Sequence, residues 1–224
     1  MAEALPRVAL LTRAAQLGRV KTRLAAAIGE HAALDVHEAL LRGTIERLRG
    51  AAEYALALHV EGDPAALRVH GLPIEPQVQG DLGARMQAAM ASMVGGGQEI
   101  HTTIAGKPAP TLERVPVGIV VGGDCPLLAR AHVVSAIRSL HEGADVALVP
   151  VEDGGYVLIG MKACEPSLFT GIDWGSPRVL TQTLARAQSR RLRVALQEPL
   201  WDVDDEAGYR RWRALMRASA KSRG

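Results

Sequence analysis

Five carboxylates and three cations in this 224-residue chain are spaced so that phosphate chemistry is open to them. Asp124 follows the apolar run Val117–Val121 and two glycines, Gly122 and Gly123. A carboxylate just past the carboxyl end of a buried strand lies where open α/β sheets bind ligands. The glycines leave the backbone open to a bulky partner, and Pro126 stops the strand because it has no N–H for a ladder. Such an Asp either holds a divalent metal on a nucleotide's phosphates or serves as a turn residue bonding nearby amides.

The cations come early. In Gly18-Arg19-Val20-Lys21-Thr22-Arg23-Leu24, an extended backbone would put Arg19, Lys21 and Arg23 on one side, suiting a di- or triphosphate. A solvated basic loop is the other reading. A P-loop is rejected, because Val20 stands where that motif demands glycine. The remaining acids come late. Glu152-Asp153-Gly154-Gly155 is either a chemical site or ordinary hairpin-turn chemistry. Asp202 and Asp204 point the same way if their segment is extended, and with Asp124 they would make an oxygen-rich magnesium site. Acids at a helix start are the plainer explanation.

The elements that must position these residues alternate along the chain. Val8–Thr12 reads as a first strand, and Leu34, Leu41, Ile45 and Leu48 as the stripe of a helix closed by Gly50. Tyr54, Leu56, Leu58 and Val60 alternate as a second strand. Asp81 is placed to cap a helix reaching about Met93, with Met86, Met90 and Met93 as its core stripe. Residues 95–116 are weakly patterned, with a short strand at Glu99–Ile104. They read as a surface excursion, mobile or pairing with a second subunit. A helix carrying Val133, Ile137 and Leu140 follows Asp124. Val146–Pro150 and Tyr156–Gly160 form a hairpin, and Ser176-Pro177 opens another helix. Leu192, Val194 and Leu196 alternate as a late strand before an Arg-rich helix ending near Arg217. His31 and His37 read as surface or boundary positions.

Composition sets the outer bounds. The chain is 48% hydrophobic and only 3% aromatic, so its core is aliphatic. No apolar stretch nears the roughly 18 residues of a membrane helix, and the start lacks a signal-peptide pattern. Two distant cysteines, Cys125 and Cys164, make neither a disulfide framework nor a zinc knuckle, so a reduced, cytoplasmic protein is expected. A net charge of +2 decides little, and the arginines of the last helix lack the interleaved aromatics of a nucleic-acid surface.

Four segments taken together resemble one family: GRVKTRL at 18–24, GDLGARM at 80–86, GGDCPL at 122–127 and EDGGYVLIG at 152–160. Trp174–Leu180 and Asp202-Val203-Asp204 continue the match. The chain resembles the bacterial DUF2064 family of GT-A-like glycosyltransferases, some of them associated with arsenosugar biosynthesis. More distantly it is similar to small nucleotidyltransferases with a basic N-terminal loop. The resemblance implies a single GT-A-like α/β domain over 1–224, a three-layer α/β/α sandwich around a mostly parallel mixed sheet. It implies that Gly18, Arg19, Lys21 and Arg23 hold phosphates, that Asp81, Gly83 and Arg85 border the nucleotide, and that Asp124 and Asp204 hold Mg²⁺ or Mn²⁺. Glu152 and Asp153 would be catalytic, with Gly154, Gly155 and Trp174 on the sugar or acceptor side. The family's Lys-Ala-Pro-x-Pro is here Arg13-Ala14-Ala15-Gln16-Leu17, without either proline.

The expected activity is metal-dependent transfer of a sugar from a nucleoside diphospho-sugar to a small acceptor. The alternatives are a nucleotidyltransferase that joins an NTP to a phosphorylated small molecule, and a non-catalytic nucleotide-binding module. The partners expected are small molecules, with no nucleic acid or membrane span and with a homodimer left open.

Overall fold

The computed structural model describes residues 5–67, 71–95 and 116–221. The excursion expected at 95–116, with its short strand at Glu99–Ile104, lies outside them but for its two end residues. Among the described residues seven strands form one sheet. They are β1 (Arg7–Arg13), β2 (Ala55–Glu61), β3 (Ile74–Pro76), β4 (Gly118–Gly122), β5 (Val146–Pro150), β6 (Tyr156–Met161) and β7 (Val194–Leu196). Their order across the sheet is β3-β2-β1-β4-β6-β5-β7, and β6 runs against its two neighbours while the other pairs are parallel. The turn Glu152–Gly155 makes the β5–β6 hairpin that the two glycines announced.

Six helices complete the fold: α1 (Thr22–Ile28), α2 (Glu30–Leu48), α3 (Leu82–Val94), α4 (Arg130–His141), α5 (Val179–Ser189) and α6 (Glu206–Lys221). Period-two alternation splits the strands between two cores. Val8, Leu10, Ile119 and Val121 pack with α2 and α4 on one face. Ala9, Val120 and Ile159 pack with α3, and α5 closes that face through Ala187. Met86, Met90 and Met93 belong to this second core, as their spacing predicts. A third cluster joins Leu24 of α1 and Val36 and Leu40 of α2 to Trp201, Val203 and the α6 residues Tyr209 and Trp212. It carries the Asp202–Asp204 segment back across the chain to the basic loop.

Two helix starts differ from what side-chain caps indicate: one has no cap in the sequence, and the other begins later than its apparent cap. Ala129 has no capping side chain, and its N–H is taken instead by His132 Nδ1 at 3.0 Å. The helix expected at Ser176-Pro177 starts at Val179, because Ser176 Oγ accepts from the Arg178 N–H at 3.2 Å and closes a turn first. No helix among the described residues is long and apolar enough to cross a membrane.

Candidate active site

A cavity of about 550 Å³ opens at the carboxyl ends of β1 and β4, where the strand-end rule places a ligand. Its wall carries four cations, Arg13, Lys21, Arg23 and Arg85, against five carboxylates, Glu61, Asp81, Asp124, Asp202 and Asp204. Of the early cations Lys21 and Arg23, and of the late acids Asp202 and Asp204, line this one cavity with Asp124.

Lys21 is at its centre. The basic loop is not extended: α1 begins at Thr22, and Lys21 is its N-cap residue with a left-handed backbone, φ 49° and ψ 43°. That turn sends the Lys21 side chain inward, where it is only 4% exposed. Its ammonium lies 2.7 Å from Asp124 Oδ1 and 2.8 Å from Asp204 Oδ1, a contact spanning 183 positions of sequence. Burial by itself would lower the Lys21 pKa, but Asp124 and Asp204 outweigh it and hold the amine charged. Asp204 is only partly buried, and although that partial burial would raise its pKa, Lys21 and Arg23 keep its carboxyl below the ordinary range. Arg23 Nη2 stands 3.7 Å from Asp204 Oδ2 at the rim. Arg19 does not join them; it is exposed and outside the cavity wall, as is Gly18. The alternation expected for these cations fails because the chain turns and enters a helix between them.

The other end of the cavity is formed by β1, β2 and the start of α3. Glu61 Oε2 takes Arg13 Nε at 2.9 Å and also pairs with Arg85. Arg85 Nε is buried with no protein partner. Gln77 donates to the carbonyls of Thr12 and His59 at 2.9 and 2.7 Å, tying β3 to the ends of β1 and β2. Asp81 caps α3 as expected, accepting the Ala84 N–H at 2.8 Å.

Several expected residues are placed elsewhere. Glu152 pairs with Arg211 at 2.7 Å, and Asp153 Oδ1 accepts the Gly155 N–H at 2.9 Å; neither is in the cavity wall. Gly154 is a packing position: its φ is +89°, and a Cβ there would lie 2.2 Å from the Pro177 carbonyl oxygen. Gly155 and Gly83 also lie outside the wall, and Trp174 is packed edge-on against Tyr156, with ring centres 6.3 Å apart. Its neighbour Gly175 is the one that lines the cavity.

Two wall residues carry more than the sequence announced. His37, read as a surface or boundary position, is 7% exposed, faces the cavity and hydrogen-bonds the Arg13 carbonyl oxygen at 3.2 Å. Burial holds its pKa below the ordinary value. Asp202 is pushed up to about 7, chiefly by burial and then by the neighbouring charges of Asp204 and Asp153.

The donor set also tests the expected metal. Among the described residues no group of three or more His, Cys, Asp or Glu converges as a ligand set of its own. Magnesium, however, commonly takes one or two carboxylates and completes its shell with substrate phosphates and water. Asp124 and Asp204 suit that role: each sets Oδ1 on Lys21, and Asp204 Oδ2 stands 3.7 Å from Arg23 Nη2. With five carboxylates against four cations, the wall has no surplus positive charge to meet a diphosphate. The residues fit a metal that arrives with phosphate.

No curated protein matches the chain. Among solved structures, a protein of Desulfovibrio desulfuricans provisionally named a nucleotide-diphospho-sugar transferase is 25% identical. The match covers 90% of this chain and 83% of that one, with a TM-score of 0.75. A CMP:2-keto-3-deoxy-manno-octonic acid synthetase in complex with CTP is 12% identical over 97% of this chain and 100% of its own, at a TM-score of 0.57. A 4-diphosphocytidyl-2C-methyl-D-erythritol synthase of Anaerococcus prevotii is 10% identical over 95% and 99%, at 0.56. The fold is thus the α/β fold of the nucleotide-diphospho-sugar transferases and cytidylyltransferases, as the motifs implied. A family model described as an uncharacterized protein conserved in bacteria (DUF2064) matches residues 44–176, more than half of the sequence, and the chain belongs to that family.

Proposed function

We propose that the protein is a transferase that binds a nucleoside diphospho-sugar with Mg²⁺ or Mn²⁺ and passes the sugar to a small acceptor. The observation that carries this reading is Lys21 buried between Asp124 and Asp204 at the strand ends, in a cavity large enough for one nucleotide-sized ligand. The 25% identical relative provisionally named for this chemistry supports it. Lys21 and Arg23 hold the diphosphate, while Arg13 and Arg85 with Glu61 border the nucleoside end. Asp124 and Asp204 would hold the metal, whose contribution is to offset the negative charge that develops on the departing diphosphate. Glu152 and Asp153, with Gly154, Gly155 and Trp174, flank the acceptor side, and Asp153 is close enough to Asp202 to raise its pKa.

A second reading is nucleotidyl transfer from an NTP to a phosphorylated acceptor. The absence of Glu152 and Asp153 from the cavity wall favours it, because an acceptor phosphate is already ionised and needs no general base. The two are separated by incubating the protein with Mg²⁺, NTP and nucleoside diphospho-sugar panels, and a panel of hydroxyl-bearing and phosphorylated small-molecule acceptors. Release of nucleoside diphosphate supports sugar transfer, whereas pyrophosphate release without it establishes the second reading. Binding of nucleotide with no turnover of any acceptor would reduce the protein to a nucleotide-binding module. Asp124→Ala is expected to remove metal-dependent nucleotide affinity while the protein still folds, at a lowered melting temperature because the buried Lys21 ammonium keeps only Asp204 as its partner. Unchanged affinity would overturn the Asp124 assignment.

A further inference from the structure

The loop that carries Asp124 is held by its own main chain as well as by the ion pair of the Asp124 side chain with Lys21. Four of its carbonyls are engaged. The Thr44 hydroxyl donates to the Gly123 oxygen at 3.3 Å, and the Val203 N–H to the Asp124 oxygen at 3.1 Å. Arg47 Nη2 donates to the Cys125 oxygen at 3.2 Å, and Arg47 Nε to the Leu128 oxygen at 2.7 Å. The Arg47 guanidinium also donates to Thr44 Oγ1 at 3.0 Å, so the two α2 residues act as one clamp.

Arg47 is an unusual residue in this place. Among the described residues it pairs with no carboxylate, and burial pulls its pKa below the ordinary value. Helix α2 makes room for it: a Cβ on Gly43 would stand 3.0 Å from Arg47 Nη1. Glycine is a poor residue for a helix interior, so this room comes at the expense of the helix. The Val203 bond then links the clamped loop to the segment bearing Asp202 and Asp204.

We propose that Arg47, with Thr44, is a positioning residue of the active site. It sets the Asp124 loop against the Asp204 segment, so that the two carboxylates meet the ligand at a fixed separation. The functional half of this inference rests on the nucleotide-binding reading, while the geometric half does not.

The test compares Arg47→Met, Arg47→Lys and Thr44→Val with Tyr54→Phe. The last variant loses a bond from the Tyr54 hydroxyl to the Leu48 oxygen at the same helix end and leaves the Asp124 loop untouched. Two readouts are taken on each folded variant: amide hydrogen exchange at Val203 and affinity for UDP-glucose and for CTP with Mn²⁺. Arg47→Met is expected to lower both Val203 protection and nucleotide affinity by roughly tenfold or more, since each bond it removes comes from a charged donor. Arg47→Lys should recover part of both, Thr44→Val should move both less, and Tyr54→Phe should move neither. Wild-type Val203 protection in folded Arg47→Met, or an equal loss in Tyr54→Phe, overturns the proposal. If the wild-type protein binds neither of these nor any other NTP or nucleoside diphospho-sugar of the panels, the proposed function fails and Val203 exchange alone decides the role of Arg47. Should Arg47→Met not fold, Arg47→Lys and Thr44→Val decide it, and unchanged exchange in both overturns it.

Discussion

Lys21 is held in a conformation that a side chain resists. Its left-handed backbone costs about 1–2 kcal/mol, and strain of that kind persists where surrounding contacts over-determine it. Here the contacts are two carboxylates on the ammonium of a side chain that is 4% exposed. Removing one member of a buried ionic cluster leaves the others uncompensated, which typically costs 3–5 kcal/mol. Asp124 and Asp204 are 47% and 36% exposed, so water screens part of their repulsion. Lys21→Met is therefore expected to lose about 2 kcal/mol in EDTA. Mn²⁺ should raise its melting temperature more than that of the wild type, because the divalent ion meets two carboxylates with no ammonium between them. Thermal melts with and without Mn²⁺ check this, and equal Mn²⁺ shifts in the two proteins would contradict it.

At the scale of elements, the start of α3 is positioned by packing. A Cβ on Gly83 would lie 2.2 Å from the Phe169 carbonyl oxygen and 2.5 Å from Trp174 Nε1. Helix propensity alone predicts that Gly83→Ala stabilises the protein by up to about 1 kcal/mol. The contact predicts the opposite, a loss of about 1–3 kcal/mol, because backbone cannot yield as a side-chain tip can. Urea unfolding decides between the signs, and a stabilised variant would refute the packing role. The resemblance had put Gly83 beside the nucleotide, and the motif alone could not separate a glycine kept for a ligand from one kept for a neighbouring loop. Strands and helices were legible because their periods are local: alternation marks β2, and the Met stripe marks α3. Asp81 was legible as a cap for the same reason. The meeting of Lys21 with Asp204 was not, since it depends on α1, α2 and α6 packing together. Arg47 and Thr44 gave no signal either, because their partners are backbone oxygens of a loop remote in sequence.

The whole molecule answers to pH through groups whose burial gives effects of opposite sign. His37 and His59 are 7% and 5% exposed, and burial lowers the pKa of each below 6.5. Glu75 opposes this at His59, with its Oε2 3.5 Å from Nε2, and Arg7 reinforces it, so desolvation prevails. Below pH 6.5 the unfolded chain takes up protons that the folded chain refuses. The stability each histidine contributes is therefore complete above 6.5 and is lost as pH falls through its folded pKa. Asp202 acts the other way: its folded pKa near 7 exceeds its unfolded 3.8, so its contribution is lost as pH rises between those values. The two trends overlap, and the wild-type profile alone does not separate them. A difference does. Substituting His59 with Gln leaves Asp202 in place, so the Asp202 contribution cancels when the variant's stability is subtracted from the wild type's at each pH. The gap is expected to favour the wild type least at low pH and to grow between the folded His59 pKa and 6.5, then to level off. Urea unfolding at half-unit steps from pH 5 to 8 measures it, and a gap independent of pH would show that His59 is not held neutral in the fold.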